Sequence, residues 1–156
     1  MSEQDLNGLP TYTTTKEGFV GINFPTSERL TNLTNYALAK AINILNKSYT
    51  SEPLLVIRVI DNDEMSVYDY KSSDNRVEVA NSIDSLPSDV KAYALVATAS
   101  IPIEGQNHDA IFIEVGERGQ EEGYQFAQKY KAKGLFSAFV RIDLPVLLRK
   151  IPQRLK

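Results

Sequence analysis

The segment from Asp109 to Asp143, DAIFIEVGERGQEEGYQFAQKYKAKGLFSAFVRID, constrains the fold of this chain most, because its hydrophobic period changes twice. Ala110, Ile111, Phe112, Ile113 and Val115 form a short, nearly unbroken apolar run, which fits a strand covered on both faces. Gly116-Glu117-Arg118-Gly119 has turn composition. From Gln120 to Lys133 the spacing predicts a helix, with Phe126, Ala127 and Tyr130 at i, i+1 and i+4 on one face. Glu121 and Glu122 would stand in its first turn and Lys129, Lys131 and Lys133 toward its end. That order complements a helix dipole by ~0.3–1 kcal/mol per well-placed charge. Gly134 fits the left-handed position that stops a helix. Leu135 to Ile142 returns to strand chemistry. Whether the strands 110–115 and 135–142 are parallel neighbours is left open by the sequence.

The rest of the chain extends this pattern. Residues 1–11 read as a loose arm, and Phe19 to Phe24 as a short strand. Pro25-Thr26-Ser27-Glu28 opens a helix at about 27–47, with Thr26 or Ser27 as N-cap. Leu30, Leu33, Ala37, Ala41 and Ile44 form one stripe, and Thr34, Leu38, Ile42 and Leu45 its neighbour. So wide an apolar face suits a helix laid on a sheet. Leu54–Ile60 and Met65–Tyr70 predict a hairpin around Asp61–Glu64. Val77–Ala80 reads as a short strand. Ala92 to Ile103 fits either period; the strand is favoured because Pro102 would break a helix, although alanine is depleted in strands. Leu144–Leu148 reads as a short helix, and 149–156 as a basic tail. The expected class is α+β in one domain, 1–156: a mostly antiparallel sheet with two helices, about 27–47 and 120–133, packed on one face.

Composition narrows the function classes. A chain of 156 residues with net charge −3 gives no global electrostatic case for nucleic acid. Cysteine is absent, which removes disulfides, thiolate metal sites and cysteine nucleophiles. No apolar run approaches the ~18–20 residues that span a bilayer, so no membrane role is expected. The polar start MSEQDLNGLP lacks an apolar signal region, which makes the cytoplasm the expected compartment.

Candidate chemistry is sparse. The loop 116–123, GERGQEEG, stands where phosphate loops occur, but its glycine spacing matches no phosphate-binding pattern and its glutamates oppose an anion. His108 is the single histidine. It lies beside Asp109, but Asp109 and Glu114 are five residues apart, about 17 Å along a strand. Asp61-x-Asp63-Glu64 lacks the glycine and closing glutamate of a calcium loop. No nucleophile elbow or triad spacing occurs. Glu114 stands out as a carboxylate inside an apolar strand, where burial demands a partner.

The expectation is therefore a non-catalytic protein-binding or self-associating module, with a protein partner or a homo-oligomer and with no cofactor or metal. The alternative is a small-molecule-binding domain or small enzyme. Its site would lie near the 114–124 junction, using Glu114, Glu117, Arg118 and Tyr124.

Overall fold

The structure, a computed structural model, describes residues 9–14, 20–47, 53–71, 74–132 and 139–156. The first part of the expected arm and residues 133–138, which include Gly134, lie outside the described residues. The fold is α+β. One curled sheet runs in the order β4 (Met65–Asp69), β3 (Leu54–Ile60), β5 (Val90–Ile103), β6 (Gln106–Glu117) and β7 (Glu122–Ala132). Two further strands, β8 (Phe139–Arg141) and β9 (Val146–Pro152), share the outer edge of β7. A separate hairpin joins β1 (Thr11–Thr14) to β2 (Val20–Asn23). Every pairing among the described strands is antiparallel.

The long hairpin β5–β6 is the axis of the sheet. It turns in two residues, Glu104 and Gly105, at φ 52° and 82°, with Ile103 opposite Gln106. Positive φ at both positions matches the right-handed twist of the flanking strands. Val96, Ala94 and Ala92 on β5 and Ile111, Ile113 and Val115 on β6 face the long helix α1 (Glu28–Lys47). Leu33, Ala37, Leu38 and Ala41 of α1 are fully buried against them. Ser27 caps α1, its hydroxyl accepting from the Leu30 amide at 3.1 Å. Asn35 ties α1 to β2: its carboxamide accepts from the Ile22 amide at 2.9 Å and donates to the Ile22 carbonyl at 2.8 Å. The amide thus acts as a one-residue strand partner, and Gly21 leaves it room, since a Cβ there would sit 2.9 Å from Asn35 Oδ1.

The second helix is not where the periodicity placed it. Residues 120–132 of the expected helix form the end of the β6–β7 turn and the strand β7, while helix α2 is Arg76–Ser82, in the segment read as a strand at 77–80. In β7 the apolar set alternates. Tyr124 and Phe126 face α1, and Gly123, Gln125 and Ala127 face the other side. Pairing on both edges of β7 overrides the helix preference of Gln, Lys and Ala. The charge order that resembled dipole compensation instead serves ion pairs along the outer edge of β7, Glu122 with Lys150 of β9 at 3.4 Å and Lys129 with Asp143, between β8 and β9, at 3.3 Å. Asn75 nucleates α2 by accepting from the amides of Val77 and Glu78.

The two helices also lie on opposite faces rather than one. Val79 and Ala80 of α2, with Ile83 of the short 3₁₀ turn that follows, pack on Leu54, Val56, Tyr93 and Leu95, away from α1. The short helix expected at 144–148 is the start of β9 instead. Between β8 and β9 the edge is broken, and the buried Gln128 closes the gap. Its amide donates to the carbonyls of Ile142 and Asp143, and its oxygen accepts from Arg141 at 2.9 and 3.0 Å. No helix among the described residues is long and apolar enough to cross a membrane.

Candidate functional site: an arginine-lined cleft around Glu114

Alternation along β6 sends Ile113 and Val115 toward α1 and Phe112 and Glu114 toward α2. Glu114 is 1% exposed. A carboxylate so placed must be matched by donors, and it is. Its Oε2 accepts from Tyr93 Oη at 2.9 Å and from Arg154 Nε at 2.5 Å. Its Oε1 accepts from Gln125 Nε2 at 3.0 Å and from Arg154 Nη2 at 3.1 Å. Two donors on each oxygen, half of them from one guanidinium fork, give the strong bidentate geometry of an arginine–carboxylate pair.

Each donor has a reason for its position. Leu95 is opposite Glu114 on β5, so Tyr93 reaches it diagonally, by lying over Gly116. A Cβ on Gly116 would be 2.6 Å from the Tyr93 ring. Glycine is required here for space. Gln125 is the direct partner of Glu114 on β7, and its own oxygen accepts from Arg149 Nε of β9 at 2.7 Å. Arg154 lies just past β9. Its backbone amide donates to Tyr93 Oη at 3.3 Å, and the neighbouring Leu155 is buried among the residues that cover this face.

Burial, followed by the adjacent Glu114 charge, holds the Tyr93 phenol far above its ordinary range. The hydrogen bond to Glu114 raises the Arg154 guanidinium above its ordinary value. Tyr93 therefore stays protonated and donates its hydrogen bond to Glu114.

A cleft of about 250 Å³ opens beside this network. Leu95 and Phe112 form its floor, and Arg76, Arg149 and Arg154 surround it. Arg76 comes from α2, with its guanidinium 5.7 Å from the centre of the Phe112 ring, within cation–π range. Among the described residues no carboxylate pairs with Arg76 or Arg149. Asp84, whose charge acts on Arg154, pairs with Lys156 at 3.8 Å. Three guanidinium charges stand against one carboxylate.

The four residues singled out from the sequence are not gathered together. Glu117 is three positions from Glu114, an odd separation, and so faces the α1 side. There it accepts from Ser27 Oγ at 2.7 Å and pairs with Arg29 at 3.5 Å. Tyr124 faces the same side, its ring edge-on to Phe24 with centroids 5.3 Å apart. These two line a separate cleft of about 320 Å³ beside the start of α1. Arg118 is a structural clamp, donating to the carbonyls of Val90 at 2.8 Å, Pro87 at 3.0 Å and Lys156.

Sequence reasoning missed Tyr93, Gln125, Arg149, Arg154 and Arg76. One signal was present: a carboxylate in an apolar strand needs a cation, and the basic tail is the richest local supply of arginine. His108 lies near the β5–β6 turn, opposite Ile101. Among the described residues no three His, Asp or Glu side chains converge as a metal site. Comparison of the chain with protein-family models, curated proteins and solved structures found no match.

Proposed function

We propose that this protein is a non-catalytic binding module that holds an anionic group in the cleft between α2 and β9. The observation that carries the reading is the charge surplus: Arg76, Arg149 and Arg154 line one concavity, and Glu114 offsets a single charge. Arginine forks suit carboxylate and phosphate oxygens geometrically as well as by charge. The non-catalytic part rests on Glu114 and Tyr93. The carboxylate has both oxygens occupied by two donors each, and the phenol proton is committed to it. Neither is free to move a proton to or from a ligand.

This reading keeps the binding role expected from the sequence and moves its contact surface away from the 116–123 loop. The test is an amide-resolved NMR titration with acetate, benzoate, inorganic phosphate and sulfate. Fast-exchange shifts concentrated at Arg76, Val77, Phe112 and Arg149, and abolished in Arg76→Gln/Arg149→Gln, are the expected result. Shifts spread evenly over the surface, or unchanged in that double variant, would overturn it.

A further inference from the structure

We infer that the group this cleft takes is a dianionic phosphate monoester carried on a small apolar body, an inference that rests on the anion-binding reading above. The first argument is charge. Arg76, Arg149 and Arg154 against Glu114 leave a surplus of two, and Asp84, the other acid near Arg154, is engaged with Lys156. A monoanion would leave one guanidinium charge of the cleft unmatched. A phosphate monoester carries close to two negative charges at neutral pH, with a second pKa near ~6.

The second argument is donor geometry. Arg154 commits Nε and Nη2 to Glu114 and directs Nη1 at Asn81 Oδ1 at 3.5 Å, whereas Arg149 commits only Nε, to Gln125, and keeps both Nη groups for a ligand. Arg76 reaches the cleft from a different segment, α2. Donors arriving from three side chains on two segments suit a tetrahedral acceptor with three terminal oxygens. A planar carboxylate is satisfied by one or two forks.

The third argument concerns the body of the ligand. The floor is apolar, made by Leu95 and the partly buried Phe112, and Val77 stands on the rim at 65% exposure. A cleft of about 250 Å³ falls below the roughly 300–1,000 Å³ typical of drug-sized ligands. The occupant is thus a phosphate with a ring or short chain attached. Both a free metabolite and a phosphorylated side chain offer that chemistry.

Phenyl phosphate, benzoate, inorganic phosphate and a short phosphotyrosine peptide are titrated calorimetrically into the full chain at pH 5.0 and pH 7.5. Phenyl phosphate is expected to bind at least tenfold more tightly than benzoate at pH 7.5. Its affinity should rise roughly tenfold from pH 5.0 to 7.5 as the dianion forms. The benzoate control over the same interval subtracts any titration of the protein itself. Arg76→Gln and Arg149→Gln should each weaken phenyl phosphate at least fivefold while thermal melting is unchanged. A peptide affinity equal to or above that of phenyl phosphate identifies a phosphorylated side chain as the source; a weaker one identifies a free small ester. Benzoate binding as tightly as phenyl phosphate, or a pH-independent phosphate affinity, overturns the phosphate assignment and leaves the anion site standing. Absence of binding by every anion overturns both.

Discussion

Replacing Arg154 with Met should destabilise the protein more than replacing Glu114 with Gln, and the double variant should be more stable than Arg154→Met alone. The asymmetry follows from burial. Glu114 is 1% exposed, whereas the Arg154 side chain is 27% exposed. Removing the arginine strips two of four donors from a carboxylate that water cannot reach. Breaking a buried pair in this way costs about 3–5 kcal/mol. The Arg154 side of the pair is partly solvated, which places the expected value near ~3 kcal/mol. Removing the charge of Glu114 instead leaves a guanidinium that can turn its free edge to solvent and still meet the Gln oxygen, while the new amide NH2 displaces the donors that met the other carboxylate oxygen. The cost is then that of weakened charged hydrogen bonds, about 1.5 kcal/mol. In Arg154→Met/Glu114→Gln the buried charge is gone, and a thioether packs beside Leu155 and Ala80, so the coupling should recover at least ~1 kcal/mol. Urea unfolding followed by far-ultraviolet circular dichroism measures all three, and the midpoint should move without a change in slope. For a chain of this size ~3 kcal/mol corresponds to a melting shift of roughly 6–12 °C. Equal losses in the two single variants, or strict additivity in the double, would refute the claim that Glu114 depends on Arg154.

Three further outcomes follow from the same structure. Gly116→Ala forces a Cβ to within 2.6 Å of the Tyr93 ring and 2.9 Å of Gln153 Cβ, and should cost about 1–3 kcal/mol in urea unfolding. Because burial and Glu114 raise the Tyr93 phenol, the unfolded state loses that proton first as pH rises. Stability from this group is complete below about pH 10 and declines above it by up to ~1.4 kcal/mol per pH unit, a slope that Tyr93→Phe should lack in unfolding measured from pH 8 to 11.5. Glu104→Asn relieves a non-glycine residue at φ 52° in the β5–β6 turn, where Asn-Gly is the favoured pair, and should raise the thermal midpoint by an amount equivalent to ~0.4–1 kcal/mol.

What the sequence discloses here depends on how many neighbours a segment answers to. Helix α1 was readable because one wide face meets one sheet, so its stripes carry the whole signal. The hairpins β3–β4 and β5–β6 were readable for the same reason, with alternation and a turn at the centre. Strand β7 was not. Both its edges are paired and both its faces are partly covered, so polar residues such as Gln125 and Gln128 lie inside it. Burial of glutamines blurs period two, and the remaining Phe126, Ala127 and Tyr130 mimic a helical stripe. Helix α2 was hidden because seven residues are too few to establish a period; its trace was the pairing of Asn75 with Glu78 at its start. Of the site, Glu114 was legible as a carboxylate out of place. Its companions come from β5, β7, α2 and the stretch after β9, and no local pattern links segments so far apart in the chain. Grouping Glu114 with Glu117 ignored a parity that a strand imposes on every pair of its residues.

Arg118 ties the cleft to segments that do not line it. Its one guanidinium gathers three carbonyls, from Pro87 before β5, Val90 within it and Lys156 beyond β9. Arg118 thus moors the segment that carries Arg154 to the start of β5 and to the β6–β7 turn. A closure between segments so far apart in the chain is expected late in folding, because its loop entropy is repaid only when most of the sheet exists. A substitution at Arg118 is expected to loosen Arg154, although Arg118 does not line the cleft.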